Sequence, residues 1–127
     1  MILVDTSVWI GHLRHTDPQL VAALDREDVL VHPFVVGELA CGNLRNRREI
    51  LTFLRRLAQA PKATDDEALA FIERRSLRGR GIGLVDVHLL ASTVLHGTAR
   101  FWTRDHQLAD VAADLKLLYR PRQTPDL

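Results

Sequence analysis

Short apolar segments alternate along this chain with longer segments in which apolar residues follow the helical period. Residues 1–4 are apolar without alternation, as in a strand buried on both faces, and 29–31, 100–103 and 116–119 are the other predicted strands. Strands that alternate with helices are typical of an α/β sandwich around a mostly parallel sheet. The chain shows no internal repeat and no linker-like stretch, so residues 1–127 are predicted to form a single domain.

Proline, glycine and capping residues set the predicted helix boundaries. Pro18 and Pro33 each stand where a helix can begin, because the missing N–H of a proline would be unpaired there in any case. In the sequence NRREILTFLRRLAQAP, an apolar stripe predicts a helix that continues to Pro61. Thr64 and Glu67 have the spacing of a capping box for the next helix. The sequence RGRGIG is predicted to be a basic loop and the closing PRQTPDL a loose end.

Composition narrows the class of protein. Apolar residues make up 46% of the chain and charged residues 26%, which is ordinary for a globular protein. No apolar run approaches the roughly 20 residues that span a bilayer, and the first residues do not resemble a signal peptide. The one cysteine, Cys41, allows no intramolecular disulfide and is interpreted as a small core residue. A cytoplasmic protein without a membrane partner is therefore expected.

Positive charge is concentrated in one stretch. Residues 43–80 contain ten Lys or Arg against five Asp or Glu, although the whole chain has a net charge of only +1. Fifteen of its seventeen basic residues are arginine, which binds phosphate groups in a bidentate manner. Charge alone leaves two interpretations open, a phosphate-binding surface and ordinary solvated helix faces.

Four carboxylates stand beside apolar segments. Asp5 directly follows the first strand, and Glu38 lies inside the apolar sequence PFVVGELACG. Asp86 follows Leu84 and Val85, and Asp105 comes shortly after the strand FWT. Because ligands of open parallel sheets bind at the carboxyl ends of the strands, these four side chains are expected to share one crevice.

Carboxylates that share a crevice repel one another and stay ionised together if a cation neutralises them. Oxygen ligands without His or Cys favour Mg²⁺ or Mn²⁺, and such ions are typical of phosphoryl-transfer sites. The alternative is that Asp5 and Asp86 cap helices and Asp105 is a turn residue. Glu38 has no comparable explanation, since the helix around it is largely apolar.

Taken in order, these motifs resemble the PIN domain in its small bacterial form, the VapC-type toxin of toxin–antitoxin pairs. MILVDTSVWI is similar to the opening strand and first aspartate of that family, and VVGELACG to the segment around its helical glutamate. GLVDVHLLAS resembles the third acidic motif and FWTRDHQLADVA the fourth. The third motif departs from the family in lacking a small polar neighbour beside its aspartate.

The resemblance implies a three-layer α/β/α sandwich and a ribonuclease that depends on Mg²⁺ or Mn²⁺. It also implies a homodimer and a neutralising VapB-type antitoxin. The site residues that it implies are the catalytic metal ligands Asp5, Glu38, Asp86 and Asp105, with Thr6 and Thr103 as supporting hydroxyls.

The substrate implied is RNA, such as tRNA or another structured RNA, and arginines near the acidic motifs are the candidates for binding its phosphates. These arginines are Arg14, Arg78, Arg80 and Arg104. Trp9 and Trp102 lie in apolar segments and are interpreted as core residues rather than base-stacking ones.

Two other functions stay open. One is a catalytically inactive PIN-like binding module, against which the presence of all four carboxylates argues. The other is a small phosphatase or phosphotransferase with Asp5 as nucleophile. The common haloacid dehalogenase signature has a second aspartate two residues after the first, and here that position is Ser7.

Overall fold

The sheet of this protein has four short parallel strands. A computed structural model describes residues 1–122. The strands are β1 (Ile2–Val4), β2 (Val29–Val31), β3 (Ala58–Gln59) and β4 (Arg100–Trp102). They lie in the order β3-β2-β1-β4, and every neighbouring pair is parallel. The predicted mostly parallel sheet is therefore confirmed.

Helices connect the strands. They are α1 (Thr6–Arg14), α2 (Pro18–Asp25), α3 (Pro33–Ala40), α4 (Arg47–Arg56), α5 (Asp65–Arg74), α6 (Leu84–His96) and α7 (His106–Asp114). The predicted capping box begins α5, since Thr64 Oγ1 accepts the N–H of Glu67 at 3.0 Å and Glu67 accepts the N–H of Thr64 at 2.9 Å. Within residues 1–122, no helix has both the length and the apolar character needed to cross a bilayer.

The central strands are buried on both faces. Every residue of β1 and β2 is at most 3% exposed. Because successive side chains of a strand point to opposite faces, helices must cover both sides of the sheet, which gives the predicted α/β/α sandwich. Trp9 and Trp102 are 2% and 4% exposed, so their interpretation as core residues is confirmed.

Three local predictions are wrong or only partly right. The helix expected to reach Pro61 ends at Arg56, because the next residues leave the helix and pair with β2 as the edge strand β3. The predicted strand at 116–119 is reduced to one parallel bridge between Phe101 and Leu118. Cys41 is exposed rather than in the core, since it follows the last turn of α3. Of the predicted loose end, residues 123–127 lie outside the described part of the chain.

The order of the strands creates a crevice at one edge of the sheet. From β1 the chain proceeds to β2 and β3 on one side, and it returns to β4 on the other side of β1. Such a reversal leaves a crevice at the carboxyl ends of the strands on either side of it. Asp5 directly follows β1 and Thr103 directly follows β4, so both are placed at this point.

Candidate active site

Asp5 is held by two hydroxyl groups from different elements. The residue is 6% exposed, and its Oδ2 accepts hydrogen bonds from Ser7 Oγ and Thr103 Oγ1, each at 2.7 Å. Asp5 precedes α1 at the N-cap position, but its side chain makes no capping hydrogen bond. The interpretation of Asp5 as a side-chain cap is therefore wrong, and its carboxylate is directed to the crevice between β1 and β4.

Ser7 and Thr103 join the acidic motifs to one another. Thr103 Oγ1 accepts the N–H of Asp105 at 3.1 Å, and Ser7 Oγ accepts the N–H of Arg104 at 3.0 Å. The sequence pattern gives Ser7 no role as a site residue. The signal that identifies it is its position two residues after Asp5, since the first turn of α1 brings its hydroxyl back to the carboxylate.

Glu38 reaches the site from α3. Its Oε1 accepts a hydrogen bond from Thr6 Oγ1 at 2.8 Å, so the hydroxyl next to Asp5 in sequence orients the carboxylate of a different helix. Thr6 is buried and Glu38 is exposed. The two predicted supporting hydroxyls thus contact two different carboxylates, with Thr6 bound to Glu38 and Thr103 bound to Asp5.

Asp86 lies in the first turn of α6, and its pKa depends on the charges of the other three carboxylates. Burial raises the pKa of Asp86, although a hydrogen bond from the N–H of Gly83 at 3.1 Å acts in the opposite direction. The charges of Asp5, Asp105 and Glu38 raise this pKa further. We call Asp86 and the three carboxylates whose charges act on it the coupled group.

Asp105 occupies the N-cap of α7, where its Oδ1 accepts the N–H of Leu108 at 3.1 Å. Asp105 is therefore a helix cap rather than the turn residue of the alternative interpretation. The capping interpretation is correct for Asp86, which accepts the N–H of Gly83 from inside the first turn of α6. In both residues the cap occupies a single carboxylate oxygen. Capping thus leaves the second oxygen available for a ligand.

All four carboxylates use only one of their two oxygens in hydrogen bonds to the described part of the protein. Each bonds the protein through one oxygen, and no hydrogen bond within residues 1–122 reaches the other. The oxygens that accept no hydrogen bond from residues 1–122 are Asp5 Oδ1, Glu38 Oε2, Asp86 Oδ1 and Asp105 Oδ2.

The candidate ligand atoms are all carboxylate oxygens, which are the ligands that a hard divalent cation prefers. In the described part of the chain, no three Asp, Glu, His or Cys side chains are already close enough together to hold a metal ion. Mg²⁺ needs only one or two protein carboxylates and keeps several waters, so a closed cage of side chains is not required. The all-oxygen character of the group excludes the thiolate and imidazole ligands of a typical zinc site.

The four candidate arginines are in different environments. Arg80 forms an ion pair with Asp114 of α7 at 2.7 Å, and Arg104 forms one with Asp17. Arg14 lines, together with Glu38, a groove of about 750 Å³ between α1, α3 and α4. Arg78 is exposed on the loop before α6. Neither Arg14 nor Arg78 has an ion-pair partner within residues 1–122.

Comparison with known proteins identifies the family of this chain. The sequence model of the PIN domain family matches residues 2–114. Ribonuclease VapC32 from two strains of Mycobacterium tuberculosis, CDC 1551 / Oshkosh and ATCC 25618 / H37Rv, is 49% identical to this chain over 114 residues. The match covers 90% of this chain and 92% of the relative.

Two solved structures share the fold. FitAB bound to an IR36 DNA fragment gives a TM-score of 0.61 at 21% identity, covering 89% of this chain and 91% of that chain. FitAcB from Neisseria gonorrhoeae gives a TM-score of 0.60 at 24% identity, covering 89% and 94%.

The parallel sheet, the carboxylates at its switch point and the sequence match define the class. This chain belongs to the PIN domain family. Within that family it is a VapC-type member, similar along nearly its whole length to the ribonucleases VapC32.

Proposed function

We propose that this protein is an endoribonuclease dependent on Mg²⁺ or Mn²⁺, and that it acts as the toxin of a VapBC-type pair. The observation that carries the proposal is the position of Asp5 directly after β1, where the hydroxyl groups of Ser7 and Thr103 hold its carboxylate. The raised pKa of Asp86 supports it, because the charges of the other three carboxylates contribute to that shift. The similarity to the ribonucleases VapC32 supplies the substrate class, RNA, because the carboxylates by themselves indicate only phosphoryl transfer.

In the proposed mechanism the residues of the chain act mainly as orienting groups. A divalent ion at the carboxylates would lower the pKa of a water and stabilise negative charge that develops at phosphorus. Thr103 and Ser7 keep Asp5 turned into the crevice, and Thr6 orients the carboxylate of Glu38. Fixed ligands avoid the cost of reorganisation during the reaction.

The chain needs no protein nucleophile in this mechanism. The hydroxyl of Ser7 is committed to Asp5, so Ser7 is a positioning residue. The phosphotransferase alternative requires Asp5 itself to attack, and it receives no support from the ribonuclease relatives. The inactive-module alternative is disfavoured because each of the four carboxylates keeps an oxygen that makes no protein hydrogen bond within residues 1–122.

The proposal includes the partners of a VapC-type toxin. We expect a VapB-type antitoxin to neutralise the enzyme, a homodimer to be the working form, and the cytoplasm to be the compartment. A tRNA or another structured RNA is the expected substrate. Arg14, Arg78, Arg80 and Arg104 are the arginines from which its phosphate contacts are expected to come.

The decisive experiment removes one carboxylate charge without changing the shape of the side chain. Asp5→Asn and Asp86→Asn are expected to lower cleavage of RNA by at least about 100-fold, while circular dichroism shows an unchanged fold. EDTA should abolish cleavage by the wild-type protein, and Mg²⁺ or Mn²⁺ should restore it. Isothermal titration of Mn²⁺ should show weaker binding to both variants.

The matched control is Asp110→Asn, which removes an exposed carboxylate from α7 outside the coupled group. This variant should cleave RNA like the wild type. Cleavage that persists in EDTA, or that is equal in Asp86→Asn and Asp110→Asn, would overturn the proposal.

A further inference from the structure

Arg104 is fixed on three sides. Its backbone N–H donates to Ser7 Oγ at 3.0 Å, and its Nη2 is bound to the carboxylate of Asp17. Its guanidinium also covers Gly11 of α1 so closely that a Cβ at that glycine would overlap Nη1. The side chain therefore lies along α1, from Ser7 to the start of α2.

Gly11 provides the space for this arrangement. Glycine inside a helix lowers helix stability relative to alanine, and Gly11 lies in the interior of α1. The volume that a methyl group would fill is occupied instead by the guanidinium of Arg104. Asp17 is fixed independently, because its Oδ1 accepts the N–H groups of Gln19 and Leu20 at the N-terminus of α2.

The guanidinium lies about one helical turn from the hydroxyl of Ser7 that bonds Asp5, and it has N–H donors beyond the one bound to Asp17. Ser7 bonds Asp5, and Gly11 follows Ser7 by four residues, which is one helical turn or roughly 6 Å along α1. The side chain of Arg104 is 46% exposed. A guanidinium has five N–H donors. The hydrogen bonds of its side chain within residues 1–122 involve Nη2 alone.

We propose that Arg104 binds the RNA phosphate next to the one cut at the carboxylates, and that Gly11 is the positioning residue that leaves room for its guanidinium. The proposal rests on the proposed function, because it needs RNA in the crevice. Phosphate suits a planar guanidinium, which binds two oxygens at once. Because the side chain is already ordered, binding costs less conformational entropy than it does for a free arginine.

The alternative is that the pair of Arg104 and Asp17 only ties the segment after β4 to α2. A matched pair of variants separates the two roles, since Arg104→Gln and Asp17→Asn both remove the ion pair. Asparagine at position 17 keeps the acceptor that caps α2. The two variants should therefore have similar thermal stability, and only Arg104→Gln loses the positive charge.

The assay is binding of a labelled single-stranded RNA of random sequence, with Ca²⁺ in place of Mg²⁺, over a series of salt concentrations. Arg104→Gln should bind about 5- to 20-fold more weakly than wild type, and the slope of log K against log salt should fall by about 0.7, the value for one lost phosphate contact on a single strand. Asp17→Asn should bind as tightly as wild type or more tightly, with an unchanged slope. Gly11→Ala should bind more weakly, because the guanidinium must leave its place.

The outcomes distinguish this proposal from the proposed function. If wild type binds RNA and Arg104→Gln has the same affinity and slope, the role of Arg104 is refuted and the ribonuclease proposal is untouched. Equal losses in Arg104→Gln and Asp17→Asn would mean a structural tie. Wild-type behaviour of Gly11→Ala would refute the positioning by Gly11. If wild-type protein fails to bind RNA at all, both proposals fall together.

Discussion

Thr103→Val tests whether the acidic site is held together by hydroxyl groups. The hydroxyl of Thr103 donates to Asp5 Oδ2 at 2.7 Å and accepts the N–H of Asp105 at 3.1 Å. A hydrogen bond to a charged group is worth about 1.5–3 kcal/mol, and an N–H group that water can reach adds about 1 kcal/mol. Valine has nearly the same shape and leaves no cavity. The free energy of unfolding should therefore fall by about 2–4 kcal/mol.

The measurement is urea denaturation of the metal-free protein at neutral pH, with Thr103→Ser as the matched control. Serine keeps the hydroxyl and loses one methyl group, so its cost should stay near 1 kcal/mol. Groups that orient metal ligands typically contribute 10- to 100-fold to metal affinity or activity, so Thr103→Val should lose RNA cleavage by about that factor. Equal stability and equal cleavage in the valine and serine variants would refute the reasoning.

Two further predictions follow from the pKa shifts. Without metal, Asp86→Asn should raise the free energy of unfolding, because it removes a partly buried charge that its neighbours repel; a destabilised variant in thermal melts would contradict shared repulsion. Burial lowers the pKa of His32 from 6.5 to about 4, helped by the charges of His88 and Lys62. Between these pH values the unfolded chain binds a proton that the folded protein does not, so stability should fall as the pH decreases through this window. His32→Asn keeps a capping acceptor and does not titrate, so wild type should lose about 1–3 kcal/mol more than this variant on acidification, and parallel pH curves would exclude the effect.

Local chemistry made part of this structure predictable. The capping box at Thr64 depends on residues three positions apart, and it forms as the sequence indicates. Asp5 stands out because a carboxylate directly after a buried strand requires a compensating partner. That partner includes Thr103, which is 98 residues away, and the contact exists only because β1 and β4 are paired in register. No local pattern contains this information.

The wrong predictions also concern contacts that form only in the folded chain and leave no local sequence pattern. The apolar stripe continues past Arg56 at helical spacing, so the sequence alone favours a longer helix. Ala58 and Gln59 instead form a strand because the edge of β2 offers backbone partners, and a two-residue strand leaves almost no sequence signal. Ser7 is missed in a similar way, since its hydroxyl looks like one of several helix-start residues until the fold places it between Asp5 and the N–H of Arg104.

Helix capping and the proposed metal binding are compatible explanations for the positions of the acidic residues. Asp5, Asp86 and Asp105 all lie at the N-terminal ends of helices, where the helix dipole stabilises negative charge. Asp86 and Asp105 also bond backbone N–H groups there. These interactions offset part of the mutual repulsion and fix the direction of each side chain. The fold therefore stabilises the ionised form of these carboxylates at the positions where the proposed cation would bind.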